Sequence, residues 1–282
     1  PKYQPVAARW LESLGIATFE QFNEGDAVII GYGPVPLRQP MPGQNGMVRI
    51  VGGPSAFIDA LANIIGDANI RTSALVTGVF EDGPKRMVVH LSSGEVITAQ
   101  KMIVSVPLRV VATTMQIPWA SQNLIDAMRG TPTWMSTHAK AIALYERPFW
   151  RDAGLSGRVA SRIGPLVEVH DHTGANNTPA AIFGFVGWSP EKRRKDPEGL
   201  RQAILDQLSD CFGKAARQPL ELVVQDWAMN PRIVTDLDIC QPAAHPDIVP
   251  PILRQPHLDG RVRFAVSEVS DLSPGLIEGA LA

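Results

Sequence analysis

Lys140 stands in Thr137-His-Ala-Lys-Ala-Ile-Ala-Leu-Tyr145, which alternates as a strand and is otherwise largely apolar. An ammonium there either turns outward or is buried, and burial demands a polar partner or a lowered pKa. Near the end of the chain an apolar strand, Val262 to Val266, runs into Ser267-Glu268, and Pro274-Gly275 opens a helix whose first turn carries Glu278 and Gly279. A helix start presents unpaired N–H groups and a positive dipole end, suited to an anionic or electron-rich ligand edge. The same residues also serve an ordinary strand-to-helix connection. His170 and His172 flank Asp171, yet no third ligand is in view, so a polar hairpin turn is the reading rather than a metal site.

One further motif is a decoy. Asp26-Ala-Val-Ile-Ile-Gly-Tyr-Gly-Pro-Val-Pro36 is an apolar run followed by G-x-G-x-x-P, close to the G-x-G-x-x-G loop that holds a dinucleotide pyrophosphate. That mechanism needs a helix directly after the glycines, and Pro36, Pro40 and Pro42 forbid one. Around these residues the chain reads as mixed α/β. A helical pattern (Val6, Trp10, Leu11, Leu14) opens it, and a strand ends at Gly52-Gly53 before a helix with Phe57, Leu61, Ile64 and Ile65 on one face. Strands are expected over 69–79, 86–91 and 95–98, then at Lys101-Met-Ile-Val-Ser-Val-Pro107. A helix is expected over 119–129, strands over 157–169, 180–187 and 220–227, and a helix from Leu200 to Phe212.

Composition bounds the class. With 282 residues, 45% of them apolar and 19% charged, a net charge of −2 and a mean hydropathy of zero, the chain reads as a globular, cytoplasmic protein. The basic run Glu191-Lys-Arg-Arg-Lys-Asp196 is bracketed by acids, so no nucleic-acid partner is expected. No apolar stretch reaches eighteen residues, so no membrane span is expected. Cys211 and Cys240 fit a reducing compartment or burial and lack metal-ligand company. A chain that begins at Pro1 and stops at Ala282, early in a helix, is expected to be a fragment, a processed subunit or part of a longer chain.

Taken together, residues 47 to 282 resemble the flavin-containing amine oxidases, the monoamine and polyamine oxidase family. The C-terminal strand, Ser267-Glu268 and the Glu278-Gly279-Ala280 helix start are similar to that family's flavin signature. The Lys140 strand ending in Pro148-Phe-Trp150 matches too, as does the strand-Gly-Gly-helix entry at Gly52 and Gly53. The resemblance implies a partial FAD-binding domain of the glutathione-reductase/hydroxylase type plus a substrate domain with a mixed β-sheet. Residues 47–115 and 219–282 then belong to the FAD domain and 116–218 to the substrate domain, with 1–46 unassigned. It implies that Lys140 faces the flavin through a water and assists reoxidation by oxygen. Gly52, Gly53, Val76, Ser105, Pro107, Trp227, Ser267, Glu268, Leu276 and Ile277 would bind FAD, and Phe183, Phe185, Leu237 and Leu276 the substrate. Its chemistry is hydride transfer from the carbon beside an amine nitrogen to flavin, giving an imine, with oxygen as reoxidant.

Departures from the family pattern shape the expectation. Val266 replaces a Gly, and Leu237 and Leu276 replace paired aromatics. Asp236 replaces the Cys that carries a covalent flavin in some members, so FAD is expected to be non-covalent. Two alternatives stay open: a related flavin desaturase, and a non-catalytic or incomplete, FAD-free fragment or subunit that needs a missing segment or a partner chain. A homodimer stays open as the assembly.

Overall fold

The computed structural model describes residues 4–42, 46–241, 244–245 and 247–282. In chain order the elements begin with α1 (Pro5–Ser13), β1 (Thr18–Glu20), β2 (Asp26–Ile30), β3 (Leu37–Gln39), β4 (Val48–Ile50) and α2 (Gly53–Ile65). A meander follows, β5 (Val76–Asp82), β6 (Arg86–Leu91) and β7 (Val96–Ala99), then β8 (Met102–Val104), α3 (Leu108–Thr114) and α4 (Gln122–Gly130). The middle holds β9 (Ala139–Tyr145), α5 (Phe149–Asp152), β10 (Leu155–Ser161), β11 (Leu166–Asp171), β12 (Ala180–Val186), α6 (Pro190–Lys195) and α7 (Pro197–Phe212). Last come β13 (Glu221–Asp226), α8 (Asp236–Ile239), β14 (Val262–Phe264) and α9 (Ile277–Leu281).

Contacts divide the chain into two compact units. The first comprises Leu11–Asp59 and His138–Trp227. Its seven-stranded sheet runs β13-β9-β12-β11-β10-β2-β3, mixed because β10 and β2 are parallel while the other neighbours are antiparallel. Strand β9 buries Ala139, Ala141, Ala143 and Tyr145 on one face, in one core with Leu200, Ile204, Leu208 and Cys211 of α7. The small alanines let the helix lie close to the sheet. Asp196 caps α7 by accepting from Gly199 N at 2.8 Å, Pro197 occupies its first turn, and Gly213 ends it at φ 91°.

The second unit comprises Lys2–Trp10, Ala60–Thr137 and Ala228–Ala282. It holds the β5-β6-β7 meander and a parallel pair, β14-β8, over a core of Val79, Leu108, Val111, Leu124, Met128, Leu253 and Phe264.

Several expected boundaries move for local reasons. The strand expected from residue 69 starts at Val76, because residues 67–69 form a 3₁₀ turn and Ser73 takes φ 56°. The helix expected from Trp119 starts at Gln122, where Ser121 accepts from Leu124 N at 3.3 Å. The stretch 157–169 divides into β10 and β11 around Gly164 at φ 81°. Gly275, at φ 77°, delays the last helix to Ile277.

Candidate functional site

Within the first unit, Lys140 lies on the half-buried face of β9, opposite the alanine face that meets the core. Its neighbours follow from register. Lys140 pairs with Phe185 on β12 and with Gln225 on β13, and Phe185 pairs in turn with Glu168 on β11. One row across four strands therefore reads Glu168, Phe185, Lys140, Gln225. The ammonium lies 5.5 Å from the Phe185 ring centroid, and among the described residues no carboxylate forms an ion pair with it. Burial lowers its pKa.

Two residues along β12, Phe183 meets Phe185 edge-on at 4.8 Å between centroids, and the rings of His170 and His172 at 6.4 and 5.3 Å. Desolvation, reinforced by Arg49, pushes the pKa of His172 down to about 4. Burial also lowers that of His170, although Glu168 at 2.7 Å opposes the shift. Asp171 points the other way. Its buried carboxylate accepts from Trp150 Nε1 and Arg151 Nε, both at 2.8 Å, and from Thr173 N at 2.9 Å. That alternation separates the His-Asp-His triplet, and among the described residues no group of three or more metal-ligating side chains gathers. Trp227, half-buried after β13, donates its backbone N–H to the His138 carbonyl at 3.1 Å.

Within the second unit, the parallel pairing of β8 and β14 puts the Ser105–Pro107 and Ala265–Glu268 segments at the same, carboxyl end of the two strands. In open α/β sheets that end is where ligands bind. Ala265 N donates to Val104 O at 2.9 Å, Ser105 is exposed, and Pro107 caps α3. Glu268 is buried, accepting from Trp134 N at 3.1 Å and Ser267 Oγ at 2.9 Å. Helix α9 packs on the 267–269 turn. A side chain at Gly279 would place Cβ 2.1 Å from Ser273 O, so that position admits only glycine. Leu276 and Ile277 remain exposed at the start of α9. Val76, half-buried, opens β5, and Leu237 is half-buried in α8. In the first unit, Gly52 and Gly53 enter α2 at φ 79° and 73°, conformations that favour glycine.

The flavin that these residues would hold finds only part of its cradle. Exposed apolar Leu276 and Ile277 beside Ser267 and Glu268 suit a flat ring with polar edges. The pyrophosphate is different. After Gly31 and Gly33 the chain runs into β3 and forms no helix, as Pro36 requires. Gly31 instead lets the loop approach Arg162 and Ile163, whose side-chain atoms lie 3.1 Å from its would-be Cβ. The loop walls a cleft of about 650 Å³ with Trp188 and α7. Among the described residues the G-x-G loop offers the phosphates no helix N-terminus.

Sequence reasoning did not single out Trp134, Arg109 or Asp238, although all three hold segments of the second unit together. The one signal was Arg109 itself, a charge amid Leu108, Val110 and Val111 at a helix start.

This mixed α/β fold, with its mixed sheet, is shared with solved amine oxidases. A putrescine oxidase structure superposes with a TM-score of 0.79 at 17% identity, covering 99% of this chain and 83% of that one. The cyclohexylamine oxidase from Brevibacterium oxydans gives 0.79 at 16%, covering 99% and 82%. The family model of flavin-containing amine oxidoreductases matches residues 19–282, and the chain belongs to that family. A probable flavin-containing monoamine oxidase A from Dictyostelium discoideum is 24% identical over 242 residues, 83% of this chain and 50% of that protein. Putrescine oxidase from Kocuria rosea is 34% identical over 93 residues, 31% of this chain and 19% of that protein. The chain thus spans half or less of the curated relatives it matches. No helix among the described residues is long and apolar enough to cross a membrane.

Proposed function

We propose that this chain is the later portion of an FAD-dependent amine oxidase, which oxidises an amine to an imine with oxygen as the final electron acceptor. The observation that carries the reading is Lys140: an ammonium of lowered pKa, half-buried between Phe185 and Gln225, with no ion-pair partner among the described residues. A half-buried lysine with no carboxylate paired to it is available to a bound water and to an anionic oxygen species. Bound FAD would supply the hydride-accepting chemistry. The chain would hold it non-covalently through Gly52, Gly53, Val76, Ser105, Pro107, Trp227, Ser267, Glu268, Leu276 and Ile277. Phe183, Phe185, Leu237 and Leu276 would exclude water and grip the substrate's apolar part. With Leu at positions 237 and 276 the slot lacks a cation–π wall, which suits an apolar amine presented as the free base. On this reading 47–115 and 219–282 belong to the cofactor domain and 116–218 to the substrate domain.

A second reading has its own support. Because the loop after β2 leads into β3 and supplies no helix N-terminus, the pyrophosphate would have to be cradled by a further segment or a partner chain. Visible absorbance of the purified chain after FAD addition and gel filtration separates the two. Paired near-ultraviolet and blue bands that bleach on anaerobic amine addition, with peroxide released in air, support the oxidase. A colourless chain points to the incomplete piece.

A further inference from the structure

Helix α8 is a single turn, and it is held by one buried side chain. Asp238, whose side chain is 2% exposed, accepts through Oδ2 from Thr235 N and Thr235 Oγ1, both at 2.9 Å. Its Oδ1 accepts from Arg109 Nη1 at 2.9 Å and from Thr133 N at 3.3 Å. Arg109, equally buried, gives its Nε to the Arg129 carbonyl at 2.9 Å and its Nη2 to Gln241 Oε1 at 2.6 Å. The 235–241 segment is thereby fixed at its first residue, in its middle and at its end. Leu237 lies between these anchors.

A four-residue helix has no stability of its own, so the backbone under Leu237 depends on these bonds. A buried ion pair adds little net stability over apolar packing, because desolvation offsets the attraction; its gain here is direction. The adjacent amide extends the arrangement, since Trp134 N donates to Glu268 while Thr133 N donates to Asp238. Two carboxylates from two segments thus hold consecutive residues of the 131–137 strap.

We infer that Asp238 is a positioning residue: with Arg109 it sets the placement of Leu237, and through Leu237 it determines how bulky an apolar group an oxidised amine can carry. The inference rests on the oxidase reading and adds a specificity determinant to it.

The test uses the purified chain loaded with FAD and compares kcat/KM for a small n-alkylamine and a bulky arylalkylamine. In Asp238→Asn the ratio of the two shifts by about tenfold relative to wild type, the range that one methylene of pocket volume commands. Gln241→Leu, which removes only the far anchor, shifts it in the same direction by less, and Asp238→Glu restores part of the wild-type ratio. Hydrogen exchange of peptides covering 131–137 and 235–241 quickens in Asp238→Asn, independently of activity. An unchanged ratio in Asp238→Asn, or in Gln241→Leu should the first variant not fold, overturns the proposal even if the thermal midpoint falls. A wild-type chain that binds FAD but oxidises no amine overturns the oxidase reading and the proposal with it.

Discussion

Lys140 occupies the strand position where a charge is least comfortable, beside an aromatic ring on a half-buried face. Because burial favours its neutral form, the ammonium costs stability: the cost sets in as pH falls from the open-chain value of 10.5 through the lowered folded one, and stays constant below it. Lys140→Met should therefore leave the thermal midpoint at pH 7 unchanged or slightly raised. Its functional effect should be large: amine-dependent oxygen uptake by FAD-loaded protein falls about a hundredfold, the scale of a lost proton-handling or electrostatic group. Oxygen-electrode rates and flavin absorbance per chain check both statements. A rate within twofold of wild type would remove Lys140 from the chemistry.

At the scale of elements, the ends of the described chain are joined by Glu278. Its buried carboxylate accepts from Val6 N at 2.9 Å and Ala7 N at 2.8 Å, amides of the first turn of α1 that no helical carbonyl can reach. Glu278→Ala leaves two donors without an acceptor and should cost about 3 kcal/mol in urea unfolding. A loss below about 1 kcal/mol would mean that water takes over the cap. In the first unit, Gly157 at φ 75° brings β10 against β11. A Cβ there would lie 2.7 Å from Asp171 Cβ and 3.0 Å from Trp150 Nε1. Gly157→Ala should cost about 2 kcal/mol or more, through left-handed strain together with disruption of the Asp171 hydrogen bonds, and thermal denaturation measures it.

The whole molecule should be acid-sensitive, and the sign follows from its imidazoles. His172 titrates at about 4 when folded against 6.5 in the open chain, and burial lowers His138, His170 and His257 in the same direction. Between those values the unfolded state binds more protons, so stability is fully present above pH 6.5 and declines as pH falls toward 4. The thermal midpoint should drop over that window, and His172→Gln should flatten part of the fall. A wild-type midpoint that is level from pH 7 to 4.5 would contradict neutral buried histidines.

What the sequence determined by itself is local. Alternation in 137–145 marked β9, three prolines barred a helix after Gly33, the stretch from Leu200 to Phe212 read as the body of α7, and the strand with Ser267-Glu268 and Glu278-Gly279 carried the family resemblance. Each rests on backbone sterics or on a period of a few residues, written in consecutive positions. Only the tertiary structure decided the pairing of polar groups. Arg109 meets Asp238 across 129 positions, Trp134 meets Glu268 across 134, and Val6 meets Glu278 across 272. It also decided the Glu168-Phe185-Lys140-Gln225 row, because register across strands is set by packing of a whole face. A charged residue in an apolar run announces that a partner is needed, but the partner's position depends on how distant segments pack, and no local pattern encodes that.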